Sequence, residues 1–268
     1  MSGVHPLAHV DPSAEIDEGT TIGPFAVVGP GVRLGRDNEI RAHAIVQGPG
    51  TTFGDENVVF EGAVLGSEPQ DKKHAGQITR LEVGSRNLFR EHVTVHRGTV
   101  SGGGLTRIGD DNMLLVGSHV AHDCDVRNGI VLSNHVLLAG HVLVEDGAIL
   151  NGAAAMHHFG TIGTLAYVGG LSRLVRDAPP YMVVEGHPAR TVKVNSVGLA
   201  RNGIPAERVK LLKVAFRHLF RRRHATWQNS FEALDNDGVT SPEIETLRRH
   251  FEGMAAGHHG RAREALRD

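Results

Sequence analysis

The chain has 268 residues with 34 Gly, 4% aromatic residues, one Cys and a formal net charge of −2. That charge balance carries no global signature of nucleic-acid binding, and a lone Cys excludes an internal disulfide framework and fits a reducing, cytoplasmic setting. No run approaches the ~20 apolar residues of a membrane span, and the opening MSGVHPLAHVDPSAEID has neither the basic start nor the apolar core of a secretory signal peptide.

The first element starts almost at once. Val4, Val10, Ile16, Ile22, Val28, Leu34, Ile40 and Val46 stand six apart; the phase slips by one at Phe53 and continues through Val59 and Leu65. Phe89 and Val95 resume it, and from Ile108 to Leu174 every sixth residue is aliphatic or Met. A fixed period of six marks a parallel β-helix of hexapeptide repeats, three of which close a triangular coil of about 18 residues. The ladder residue points inward, and stacked coils bury an apolar column that no single repeat could bury. Small residues four places after the ladder position (Ser118, Cys124, Ala148, Ala154, Gly160, Ala166, Ser172) suit a narrow interior. The expected fold is therefore an all-β solenoid over residues 1–190.

Two insertions interrupt the ladder, the polar SEPQDKKHAGQITR at 67–80 and the Gly-rich RGTVSGGGLTR at 97–107. Insertions in a solenoid become loops on one side, often beside the binding face. After Leu174 the segment RDAPPYMVVEGHPAR reads as an irregular exit with a Pro-Pro break. A C-terminal α-helical domain is expected over 191–268. Pro205 opens a helix that places Val209, Leu212, Phe216 and Leu219 on one face. Ser241-Pro242 starts another, with Ser as N-cap and Pro at the first helical position. This domain should cap the end of the β-helix and protect its edge.

Of the 18 His, those in the coils matter most. Residues one coil apart lie above one another at the ~4.8 Å strand spacing. His122, Gly140 and His158 form one such column, with Asp123, His141 and Phe159 beside it, and His158 about 10 Å above His122. A Gly directly over a His, ringed by polar groups, has the geometry of a cleft. A neutral His can take a proton from a hydroxyl or amine attacking an acyl carbon. Asp123 could fix its tautomer, and the Gly140 N–H could hold an oxyanion. There is no G-x-S-x-G motif, and Cys124 falls at an inward, packing position, so acyl transfer by direct attack fits better than a covalent intermediate.

The segments HVAHDC (119–124), LAGHV (138–142), HRGTVSGGGLT (96–106), QDKKHAG (70–76) and VGG (168–170) resemble those of the UDP-N-acetylglucosamine acyltransferases of lipid A biosynthesis. The resemblance implies a left-handed β-helix, a homotrimer with active sites between subunits, and neither metal nor cofactor. It implies transfer of a 3-hydroxyacyl chain from acyl carrier protein to the glucosamine 3-position of UDP-N-acetylglucosamine. Carried over by motif, His122 is the general base, Asp123 its orienting partner and Gly140 the oxyanion donor. His141 would contact the sugar, with His119 beside the site. Asp71 and Lys73 match positions that bind the sugar nucleotide. Asn195 and Arg201 match positions that meet the nucleotide and its phosphates, and Gly170 one that limits acyl-chain length. Two positions depart from the family pattern: His158 stands where Gln is common, and Asn202 where a second Arg is common.

Two same-fold alternatives compete. A zinc enzyme similar to γ-type carbonic anhydrases would need three His, for which His96, His119 and His122 are the candidates, but it leaves the 67–80 loop and the helical tail unexplained. The N-acyltransferase of the same pathway carries a domain ahead of its β-helix, for which a ladder starting at Val4 leaves no room.

Overall fold

A computed structural model describes residues 3–222 and 225–266. Its first part is a left-handed parallel β-helix with three faces. Among the described residues the faces hold 11, 9 and 8 strands, beginning with Gly3–Val4, His9–Val10 and Glu15–Ile16 respectively. Consecutive strands on a face pair in parallel, one coil apart, as with His119↔Leu137 and Val120↔Leu138.

Each coil follows from its hexapeptide pattern. The ladder residues from Ile22 to Leu174 are all buried in one continuous core. Only at the open N-terminal mouth does the column meet solvent: Val4 is 43% exposed and Val10 and Ile16 are half-buried. The corners turn through a residue in the left-handed region three places after the ladder position, among them Asp37, His43, Asp123, His135, His141 and Phe159. That conformation costs an ordinary L-residue about 1–2 kcal/mol, so Gly, Asp and His recur there.

Buried Asn38, Asn57, Asn87 and Asn112 line one corner from the inside. Asn57 Nδ2 donates to Asn38 Oδ1 at 2.9 Å, and Asn87 Nδ2 to Asn57 Oδ1 at 2.9 Å. The chain of amides satisfies polar groups that would otherwise be stranded in the core.

The insertions are shorter than their sequence suggests. Arg80–Val83 and Leu105–Ile108 are strands paired with each other, so the loops proper are 68–79 and 97–104. The exit segment is not irregular. Ala178 bridges Ile162, and Met182–Gly186 pairs in parallel with Tyr167–Val168 before Ala189–Val194 returns antiparallel. This hairpin, rather than a helix, finishes the first face, and residue 190 lies inside its second strand.

Among the described residues four α-helices follow: α1 (Ser196–Arg201), α2 (Ala206–Phe216), α3 (Trp227–Asn236) and α4 (Pro242–Ala256). They enclose a second core of Leu212, Phe231, Leu234, Ile244, Leu247 and Phe251. Ser241 caps α4 by accepting from the Ile244 N–H, as its sequence predicts. The apolar spacing of the sequence does not mark α1 or α3. The final segment, Ala262–Leu266, folds back against the β-helix.

Candidate active site

Both insertions leave the solenoid where the chain passes from the second face to the third. The same corner, in successive coils, carries His122-Asp123, Gly140-His141 and His158-Phe159. One edge of the triangular prism therefore gathers both loops and the stacked histidines.

The centre is a short chain of hydrogen bonds. His122 Nδ1 lies 2.8 Å from Asp123 Oδ2. Thr99, from the Gly-rich loop, donates its backbone N–H to Asp123 Oδ1 at 2.7 Å and its hydroxyl to Oδ2 at 2.6 Å. Thr106 Oγ1 accepts from the Asp123 N–H at 2.8 Å. The loop can lie this close because a Cβ at Gly102 would fall 2.2 Å from Asp123 Cγ. Burial alone would raise the pKa of Asp123, but the hydrogen bonds from His122 and Thr99 outweigh it and hold the carboxyl below its ordinary value. With Nδ1 facing a carboxylate, the neutral His122 ring keeps its proton there. Its Nε2 then carries a lone pair, and no group among the described residues bonds to it.

Gly140 sits directly over that ring. A Cβ there would come within 2.5 Å of His122 Cε1. Its N–H donates to no acceptor among the described residues, whereas the neighbouring His141 N–H is bound to the His122 carbonyl at 3.0 Å. His141 meets His122 edge-on with ring centres 5.2 Å apart, and it stacks on Phe159 at 4.2 Å. Its Nε2 is 3.7 Å from Asp123 Oδ2. Burial lowers the His141 pKa, against the pull of Asp123. His158 completes the column, 3.9 Å from His157 and edge-on to Phe159 at 5.5 Å between ring centres.

His119 lies one strand earlier, its Nδ1 2.8 Å from Thr94 Oγ1 and its ring edge-on to His96 at 5.4 Å. Burial, with help from the two neighbouring histidines, lowers its pKa to about 4. Cys124 is inward and buried, and desolvation raises its thiol to about 12, which makes it a poor nucleophile.

The candidate zinc trio does not form a cluster of its own. His96 Nδ1 is bound to the Glu68 carbonyl and His119 Nδ1 to Thr94. The donor atoms that gather within 4.8 Å, among the described residues, are those of His122, Asp123 and His141. Both oxygens of Asp123 in that trio already accept hydrogen bonds.

Other expected residues lie apart. Asp71 and Lys73 are in the exposed 68–79 loop, where Asp71 Oδ1 caps its own turn by accepting from the Lys73 N–H at 2.9 Å. Asn195 is 8% exposed and is the N-cap of α1: its Oδ1 accepts from the Gly198 N–H at 3.0 Å and its Nδ2 donates to the Leu165 carbonyl at 2.9 Å. Arg201 is exposed in the last turn of the same helix. Gly170 occupies the corner between the first and second faces, where a Cβ would meet the Gly152 carbonyl oxygen at 3.3 Å. Among the described residues, no hydrogen bond or ion pair joins these residues to His122 or His141 within one chain.

Three partners of the site carry no signal of that role in the sequence pattern: Thr99, Thr106 and Arg263. The Gly-rich insertion signals a loop that can approach closely, but spacing cannot say which side chain folds onto Asp123. Arg263 reaches the site only through tertiary docking of the tail, where it donates to the His141 carbonyl.

Residues 177–260 match a family model described as UDP-N-acetylglucosamine O-acyltransferase, domain 2, and residues 4–48 match one described as bacterial transferase hexapeptide (six repeats). The chain is 46% identical over 247 residues to the acyl-[acyl-carrier-protein]–UDP-N-acetylglucosamine O-acyltransferase of Alkalilimnicola ehrlichii, covering 92% of this chain and 95% of that one. Among solved structures it resembles the UDP-N-acetylglucosamine acyltransferase of Bacteroides fragilis with a TM-score of 0.88 at 34% identity, over 91% of this chain and 94% of that one. The Arabidopsis UDP-N-acetylglucosamine acyltransferase gives a TM-score of 0.84 at 31% identity, over 96% and 98%.

Proposed function

The chain belongs to the UDP-N-acetylglucosamine O-acyltransferase family, and on that premise we propose that it transfers the acyl group by direct attack, with His122 as general base. The reaction carries an acyl chain from acyl carrier protein to UDP-N-acetylglucosamine in lipid A biosynthesis. We read the donor as a 3-hydroxyacyl thioester and the acceptor as the glucosamine 3-position.

The observation that carries the reading is the bond from His122 Nδ1 to a clamped Asp123, which leaves Nε2 unbound at an open corner. His122 Nε2 takes the proton of the acceptor hydroxyl as its oxygen attacks the thioester carbonyl carbon. Negative charge gathers on the former carbonyl oxygen, and the Gly140 N–H is free to receive it. Asp123 faces the imidazolium that forms. Collapse of the tetrahedral intermediate breaks the carbon–sulfur bond, and His122 returns the proton to the departing carrier thiolate. His141 and His158 extend the corner toward the sugar nucleotide.

A homotrimer is the second part of the proposal. The outward strand positions of the first face, Val58, Leu88, Met113, Val131, Ile149 and Tyr167, are in register across consecutive coils. A continuous apolar stripe of this kind marks a protein-contact surface. A neighbouring subunit docked along it supports placing Asp71, Lys73, Asn195 and Arg201 at a shared site and Gly170 along a groove between subunits. No helix of the described chain is long and apolar enough to cross a membrane; the cytoplasmic setting is part of the proposal and rests on the family to which the chain belongs.

Intact-protein mass spectrometry tests direct attack. Incubated with 3-hydroxyacyl carrier protein and no acceptor, the enzyme should keep its mass. An acyl adduct that disappears on adding UDP-N-acetylglucosamine would contradict it.

A further inference from the structure

Arg263 comes from the end of the helical domain, yet its Nε donates a 2.8 Å hydrogen bond to the carbonyl of His141. Buried Asp177 sets it there. Asp177 Oδ1 accepts from the Thr161 N–H at 2.7 Å, Oδ2 accepts from the Ala262 N–H at 2.8 Å, and its own N–H donates to the Gly260 carbonyl at 2.9 Å. Arg261 adds a bond to the Val175 carbonyl at 2.6 Å. The residue before Arg263 is thus pinned to the strand that follows His158-Phe159, and the guanidinium reaches back one coil to His141.

Among the described residues, Asp123, His122, Arg263 and His158 act electrostatically on His141. Its Nε2 is 3.7 Å from the same Asp123 oxygen that His122 Nδ1 contacts at 2.8 Å. If His141 gained a proton, it would compete with His122 for that carboxylate. A fixed positive charge beside His141 disfavours that proton.

We propose that Arg263 is a positioning residue of the acyl-transfer site: it secures the His141 turn through its carbonyl and faces His141 with a positive charge, so that Asp123 stays paired with His122. This rests on the reading of the His122 corner as the acyl-transfer site. The helical domain would then contribute to the site chemically as well as structurally, because tail docking delivers the charge.

The test replaces Arg263 with Met, Gln and Lys in the full-length enzyme. His141 is followed by NMR of labelled histidine, its signal identified as the one lost in His141→Asn. In Arg263→Met the His141 titration should move to higher pH, and the acid limb of kcat should move with it. At neutral pH kcat should fall on the order of ten-fold, with KM for both substrates little changed. Arg263→Lys should keep the wild-type titration and acid limb. Protection of the Ala262 amide from hydrogen exchange reports tail docking. If Met releases the tail, Arg263→Gln, which retains a donor for the carbonyl, carries the same expectation. An unchanged His141 titration in the docked, uncharged variant would overturn the proposal. The titration needs no substrate, so a wild-type enzyme that acylates no sugar nucleotide would overturn the acyl-transfer reading separately.

Discussion

The ring of His122 fills the space that a side chain on Gly140 would need: a Cβ there would sit 2.5 Å from His122 Cε1. The glycine thus does two things at once. It leaves its N–H uncovered for an oxyanion, and it leaves room for the imidazole of the base against the next coil. Gly140→Ala separates these roles, because Ala keeps the N–H and adds only the Cβ. Displacing His122 by an ångström should lower kcat on the order of a hundred-fold while thermal stability changes little. An Ala variant with near wild-type kcat would show that the ring does not need this seat.

The solenoid was legible because its constraint is one-dimensional: each inward position must be apolar, and each corner needs a residue that tolerates the left-handed region. The His122–Gly140–His158 column followed from spacing alone. Thr99 did not, since its contact with Asp123 depends on how a loop with several glycines folds. The hairpin at Met182–Val194 was hidden because Ala178 and Val184 pair with Ile162 and Val168 at an interval of 16 rather than 18 residues. Family resemblance marks Asn195 as an expected nucleotide contact; in the structure its buried amide caps α1 and ties it to Leu165. No pattern of spacing reports such a bond.

Acid should weaken the fold partly through His119 and His250, each lowered to about 4 by burial. An unfolded chain takes up these protons near pH 6.5, so between about 6.5 and 4 the unfolded state holds more protons and stability falls as pH falls. Asp177, raised to about 7 by burial, acts in the opposite direction. In His119→Gln the drop in urea midpoint from pH 7 to about pH 4.5 should be smaller than in wild type. An equal drop would mean that His119 is not held neutral by the fold.

An acidic carrier protein needs a basic landing surface. Arg217, Arg221 and Arg222 follow α2, with Arg221 bonded to the Val192 carbonyl at 3.1 Å and Arg222 to His218 at 2.8 Å; Arg223, the fourth Arg of the run, lies outside the described residues. The exposed charges stand beside the hairpin that ends the β-helix. Reversing Arg221 and Arg222 to Glu should raise KM for the carrier-bound donor and reduce its dependence on salt. An unchanged KM at low salt would remove this surface from the docking site.

Gly170 stands at a different corner from His122, with room for a Cβ only at 3.3 Å from the Gly152 carbonyl oxygen. In the proposed trimer that corner would border the neighbouring subunit's groove, and we propose that a Gly there leaves room for a long acyl chain. Gly170→Met should shift preference toward shorter donors, each excluded methylene costing about 0.8 kcal/mol. The readout is the ratio of kcat/KM for long and short donors. A ratio equal to wild type would show that Gly170 does not line the acyl groove.

The central claim is that His122 removes the acceptor proton. The direct measurement is steady-state formation of acylated UDP-N-acetylglucosamine, read by mass, for wild type and His122→Ala with 3-hydroxyacyl carrier protein as donor. Wild type should yield the acylated sugar nucleotide and free carrier thiol in equal amounts. The variant, with its inward ladder untouched, should remain folded and lose on the order of 10²–10⁴-fold in kcat. Retention of more than about a tenth of the wild-type rate would contradict the assignment of His122 as the base.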